Sequence, residues 1–434
     1  MGGLPLSRIR ILDFSLVWAG PFAVMMLGDL GAEIIRVESR RHHITNTRGF
    51  VPWPPDKEFV SRLGHMAGGY VDKDPAGNPW NRHALFNSLG RNRRSVVAEI
   101  GTEEGHRTVE ELVKICDVFI ENNSMGMMAR HGLDYESVRK INPSIIYVTM
   151  PLYGLTGPYH THVGFGSQGE ATAAYLHLRG YEGEGPETNH GSNHMDASSG
   201  IAAAYATLMG IYQRDRTGKG QFIEVSQTEH MTHQVGSALM DAAMNGRDRM
   251  PIGNKDEHRA PQGVYRCRGE DRWIAISVGS DKEWAGLCTA MGRPKLAQDP
   301  EYMSNLARHL RHDEIDVAIS AWTESREDRE TMELLQSHGV PSGMLSDDGD
   351  PYIDPHLTER GFYREMEQAA CGRHRYPGHV FQFVGKELQF KLPPPLLGEH
   401  NDWVYGDLLA LSETEIERQK GLELIGEGYL PDVT

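Results

Sequence analysis

Hydrophobic and polar positions change their period several times along the chain. A largely apolar run at residues 9–14 (IRILDF) predicts a buried strand, Gly20-Pro21 a turn, residues 22–30 a helix, and residues 34–38 (IIRVE) a second strand. Strand, helix and strand within about thirty residues make a βαβ unit, whose strands run parallel. Val109, Leu112, Val113 and Cys116 then recur at helical spacing. They are followed by a strand at 117–121 (DVFIE), a helix at 135–141 and a strand at 145–149 (IIYVT). The expected class is α/β, with an open Rossmann-like sheet in the large domain.

A glycine-rich, histidine-bearing loop at 180–193 leads into residues 197–213, rich in alanine, leucine and isoleucine and followed by Arg216-Thr-Gly-Lys-Gly220. This predicts a buried helix with Asp196 at its N-cap and a glycine turn at its end. From about Glu229 the rhythm changes to a methionine-rich helical stretch, a polar loop at 253–262, a strand at 273–278 (WIAISV) and short helices up to about Gly339. The expected division is a large Rossmann-like domain from residues 1–225 and 350–434, and a smaller α/β domain from 226–349. The last eighty residues carry Pro393-Pro394-Pro395 and a helical ending.

With 434 residues, 39% of them apolar, the chain exceeds the size at which one core stops growing, about 250–300 residues, so more than one unit is expected. A net charge of −16 argues against a nucleic-acid partner, which calls for a basic surface. Four cysteines (Cys116, Cys267, Cys288, Cys371), none in a CxxC pair, predict neither a disulfide framework nor a cysteine zinc site. With no charged leader before an apolar stretch and no apolar run near 18 residues, the expectation is a cytoplasmic protein without a membrane partner.

The turn after the first strand, Ser15-Leu-Val-Trp-Ala-Gly-Pro21, has no GxGxxG, which disfavours a dinucleotide there. An ionised aspartate at a helix start can attack an activated acyl carbon, although on pattern alone Asp196 reads first as a helix cap. His190 and His194 stand i, i+4. In an extended segment His194 and Asp196 share a side, which makes His194 a candidate general base. A metal would need a third ligand, so the pair reads by default as loop histidines and no metal is expected. Arg91, Arg93 and Arg94 suit a phosphate-bearing ligand, with a solvated loop as the ordinary reading.

Taken together, six segments resemble the family III CoA-transferases (CaiB/BaiF, formyl-CoA transferase-like). In order they are RILDFSLVWAGPFAVMMLGDLGAEIIRVE, FNSLGRNRRSVVAEIGTEEG, DVFIENNSMGMMARHGLDYE, INPSIIYVTMPLYGLTGPY, DRTGKGQFIEVS and PLLGEHND. The resemblance implies transfer of coenzyme A from a donor acyl-CoA to a carboxylic acid. No cofactor is permanently bound, and CoA and acyl-CoA are substrates. It assigns the nucleophile to Asp196 and the CoA site to Val17, Trp18, Ala19, Ala98, Gly101, Asn122, Asn123 and Arg130. Ser39 replaces the arginine that often follows the family's Val-Glu, so Arg40 is the substitute. Val163 and Gly166 stand where formyl-CoA transferase carries a basic residue near the active site and an acidic residue that orients the nucleophile, and the tetraglycine loop of that enzyme is missing between Gly253 and Gly263, which counts against formyl-CoA and oxalate. Further implied are an interlocked, ring-like homodimer or a pairing with a paralogous subunit, and substrates nearer to substituted succinates. Two rivals are a 2-methylacyl-CoA racemase of the same fold, whose histidine is replaced by Phe165, and an inactive CoA-binding homologue, against which Asp196 argues.

Overall fold

A computed structural model describes residues 3–188, 193–388 and 390–433. The chain forms two compact units. One comprises Met1–Tyr175, Gly191–Met240 and Arg360–Thr434, the other Leu176–His190 and Asp241–Glu359. The divisions thus fall near 240 and 360, against 225 and 350 in the sequence reading, and the small unit also takes in the segment after Tyr175.

The first unit is built on six parallel strands: β1 (Arg10–Phe14), β2 (Glu33–Glu38), β3 (Arg93–Val97), β4 (Val118–Glu121), β5 (Ile146–Thr149) and β6 (Gln221–Glu224), in the spatial order β3-β2-β1-β4-β5-β6. Most of their apolar side chains are buried because helices cover both faces. Leu12, Phe14, Ile35, Val37 and Phe119 enter one core together with Val109, Leu112 and Val113 of α2 (Glu103–Ile115). The alternate positions Ile11, Ile34, Val118, Ile120 and Val148 enter the other, with Ala23, Val24 and Leu27 of α1 (Ala19–Asp29). Gly20 and Pro21, expected as a turn, lie in the first turn of α1. A proline is accommodated there because the first-turn N–H groups have no intrahelical partner in any case.

The arginine cluster is neither a solvated loop nor a phosphate site. Arg91 makes two bonds to the Asp29 carboxylate (2.9 and 2.6 Å), Arg93 donates to the Pro21 carbonyl and faces Asp13, and Arg94 reaches Glu33 at 3.0 Å. Beside it, Arg48 grips Glu38 through two 2.7 Å bonds. Burial opposes the Glu38 charge, but Arg48 and Arg36 outweigh it and hold the carboxyl at about 2. The last of the six motif segments, with Tyr405 just beyond it, closes the sheet edge: His400 N–H donates to the Ser95 carbonyl, Asn401 Oδ1 accepts from Val97 N–H, and the Tyr405 hydroxyl donates to the Val97 carbonyl. An otherwise open strand edge is thereby satisfied by residues three hundred positions away in the chain.

The second unit carries an antiparallel three-stranded sheet, Gln262–Arg266, Trp273–Ser277 and Ser342–Met344, with Trp284, Leu287, Ile315, Ile319 and Leu335 packed on it. The strand expected at 273–278 is therefore present. Among the described residues no helix is long and apolar enough to cross a membrane.

Candidate active site

In an open parallel sheet a ligand crevice forms at the carboxyl ends of the strands, where the strand order reverses. Here that point lies between β1 and β4. A cavity of about 440 Å³ opens there, lined by Phe14 at the end of β1 and Leu16 after it, Glu38 at the end of β2, Ala98 and Gly101 after β3, and Asn123 after β4. Gly101, Thr102 and His131 also border a wider depression holding His106, Arg107 and Arg130. Of the residues assigned to CoA, then, Ala98, Gly101 and Asn123 line the cavity and Arg130 stands in the adjoining depression.

Val17, Trp18 and Ala19 form the turn beside it, and Asn122 packs on that turn from the end of β4. Asn122 takes the Leu16 N–H at 2.6 Å and returns a bond to the Leu16 carbonyl at 3.0 Å, pinning the β1–α1 turn. Val17 sits at φ 60°, a left-handed conformation costly for a β-branched residue, and its N–H donates to Thr47 Oγ1 at 3.0 Å. Arg40 faces elsewhere: its guanidinium donates to the carbonyls of Ile425 and Gly428, while Ser39, Arg41 and His42 contribute to the cavity wall.

Asp196 lies in α6 (His194–Thr217), a helix that begins three residues earlier than expected, with Asn193 as its cap. Asp196 is thus the third helical residue rather than the N-cap. Because the segment is helical, His194 and Asp196 do not share a side as they would in a strand. His194 Nε2 instead meets Gln234 Oε1 at 3.0 Å, and Gln234 Nε2 meets His230 Nε2 at 2.9 Å. His190 lies outside the described residues. The helix ends as expected at a left-handed glycine, Gly218.

Four residues after Asp196, on the same face of α6, Gly200 packs against the start of α1; a Cβ there would stand 2.7 Å from the Ala19 carbonyl oxygen. The face of α6 that carries Asp196 is thereby set, one turn further along, against the start of α1 at Ala19. Opposite it runs the short helix α5 (Gly166–Thr172). A Cβ on Gly166 would overlap Asp196 Oδ2, and one on Gly169 would stand 2.5 Å from the Met195 terminal methyl. Two glycines thus let α5 and the first turn of α6 approach closely.

Glu170 of α5 is fully buried, and its Oε1 accepts the Met195 N–H at 2.9 Å. A helix N-terminus favours a carboxylate. Burial and the neighbouring Glu170 outweigh that influence, and the Asp196 carboxyl is pushed up to about 6. It is therefore ionised at neutral pH and poorly solvated. Glu170 escaped the sequence reading, although a lone glutamate among the small residues GSQGEATAA was a visible signal.

The profile of the CoA-transferase family III matches residues 6–401. The chain belongs to that family. As a family III CoA-transferase it is an enzyme, and its substrates are CoA thioesters and carboxylic acids. It is 30% identical to the succinyl-CoA:glutarate CoA-transferase of Mus musculus, over 95% of this chain and 88% of that one. It is 28% identical to the succinyl-CoA–D-citramalate CoA-transferase of Chloroflexus aurantiacus, over 95% and 96%. Among solved structures, a CAIB/BAIF family protein from Brucella suis superposes with a TM-score of 0.79 at 26% identity, covering 94% of this chain and all of that one. The CoA-transferase assignment and the parallel α/β sheet of the sequence reading both stand.

Proposed function

We propose that this CoA-transferase takes CoA from succinyl-CoA, or a close dicarboxylic analogue, and passes it to a short dicarboxylic acid through a covalent intermediate on Asp196. The observation that carries the proposal is the Asp196 carboxylate itself: desolvated, ionised at neutral pH, and held on the α6 face that packs against the turn assigned to CoA. The substrate class follows the names of the relatives, whose donor is succinyl-CoA and whose acceptors are glutarate or D-citramalate.

In the first step an Asp196 oxygen bonds to the thioester carbon, the C–S bond breaks, and CoA leaves as thiolate, giving a mixed anhydride. The thiolate then attacks the aspartyl carbonyl and releases the donor acid, leaving an aspartyl-CoA thioester. The acceptor carboxylate attacks that thioester, and the thiolate returns to the acceptor acyl group, restoring Asp196. The chain's own part is to hold CoA at Val17 to Ala19, Ala98, Gly101, Asn122, Asn123 and Arg130, and to present backbone N–H groups at the start of α6 to the tetrahedral oxyanions.

A panel of acyl-CoA thioesters with hydroxylamine trapping and peptide mass mapping tests this. A hydroxamate on Asp196 with succinyl-CoA, absent in Asp196→Asn, is expected. No adduct with any donor, together with α-proton exchange into deuterated water, would overturn it in favour of the racemase.

A further inference from the structure

The proposed first step moves a negative charge. Once an Asp196 oxygen bonds the thioester carbon, the carboxylate becomes part of a neutral anhydride and the charge departs on sulfur. A second, fixed anion near Asp196 raises the energy of the carboxylate and leaves that of the anhydride almost unchanged. It thus favours acylation on the same ground on which it favours protonation.

Glu170 meets this requirement by geometry. It is fully buried, Oε1 is anchored on the Met195 N–H, and Oε2 has no hydrogen-bond partner among the described residues. Gly166 and Gly169, on the same helix, let it lie directly against Asp196 and the Met195 side chain.

Resting on the Asp196 reading above, we propose that Glu170 is a positioning residue for CoA transfer: its carboxylate fixes the first turn of α6 and drives charge off Asp196 towards the leaving thiolate. Among the described residues the other titratable groups around the start of α6 are His194 on the helix itself, Tyr175 stacked on its ring, and Glu229, His230 and His233 on the segment Gln227–Gln234. His230 is held below the ordinary imidazole value, first by burial and then by His233 and His194, so it adds no positive charge at neutral pH. On α1 the only acid is Asp29, at the far end and paired with Arg91.

Glu170→Gln keeps the volume and the acceptor for Met195 N–H and removes only the charge. It is expected to lower kcat by about tenfold, to leave the KM for acyl-CoA within about twofold, and to move the acid limb of the rate profile down by about half a pH unit or more. Glu170→Asp, which keeps the charge, is expected to retain the wild-type limb, and this comparison stands even should the Gln variant fail to fold. An unchanged kcat and limb in Glu170→Gln, or a limb displaced equally in Glu170→Asp, overturns the proposal. Either result leaves the Asp196 reading intact as long as wild-type enzyme still forms the Asp196 hydroxamate. A missing hydroxamate in wild type fails both.

Discussion

Gly166 and Asp196 make a pair whose separate requirements are opposed. Gly166 opens α5, where alanine is the better helix former by about 1 kcal/mol, and its φ is not in the left-handed region. Gly166→Ala is therefore expected to fold at least as stably as wild type. Its methyl displaces the Asp196 carboxylate, so the rate of Asp196 acylation should fall about a hundredfold, as a misplacement of about 1 Å does elsewhere; melting temperature beside single-turnover trapping checks both halves. Asp196 itself weighs against the fold. With its carboxyl at about 6 against an ordinary 3.8, the folded state holds the proton more tightly, so this contribution is complete below 3.8 and lost as pH rises through 6. Asn at 196 mimics the neutral form. Asp196→Asn should thus raise the unfolding free energy by about 1–3 kcal/mol at pH 8 and by almost nothing near pH 4, as denaturant titrations at the two pH values would show.

At the scale of elements, the α1–α6 contact joins the two halves of the site, and Gly200 sits at its tightest point. A Cβ there would meet the Ala19 carbonyl oxygen at 2.7 Å, the Phe22 Cβ at 3.0 Å and the Ala23 nitrogen at 3.2 Å. Mid-helix alanine normally gains over glycine, but here the backbone of α1 must give way. Gly200→Ala is expected to destabilise by about 1–3 kcal/mol and to raise the KM for acyl-CoA, since the displaced turn carries Val17 to Ala19. A melting temperature at or above wild type would remove this contact from the account. The strands were legible because their apolar runs are continuous, and β1, β2, β4 and β5 stand within a residue of their expected places. β3 was not: its Arg93-Arg94 start reads as a basic surface until the partners Asp13 and Glu33, distant in sequence, are known. The start of α6 was misplaced for a local reason, because Asn193 at a left-handed φ caps the helix without the side-chain bond that a pattern search expects. Asp196 was legible as a carboxylate at a helix start, whereas its desolvation and the charge of Glu170 arise only when α5 packs on α6.

For the whole molecule, the other face of α6 carries large apolar side chains to the surface of the single chain. While Ala203, Ala204, Thr207 and Ile211 are buried, Ile201, Tyr205, Met209 and Tyr212 are 51%, 65%, 45% and 58% exposed, spaced as one stripe along the helix. Four large apolar side chains in a row on a long helix mark an association surface rather than a solvated face. The stripe supports association of two chains, and the interlocked form that the family resemblance implies can be distinguished from a simple contact dimer. Two chains that merely touch separate on dilution, whereas two that thread through each other separate only by unfolding. Native enzyme should therefore keep a mass of about 97 kDa, twice 48.5 kDa, down to nanomolar concentration. Tagged and untagged dimers mixed in the native state should not exchange subunits over days, yet should form hybrids after joint denaturation and refolding. Tyr205→Glu, which buries a charge in the stripe, should lower the yield of refolded dimer. Subunit exchange in the native state within hours would leave a dimer held by this surface but rule out the threading.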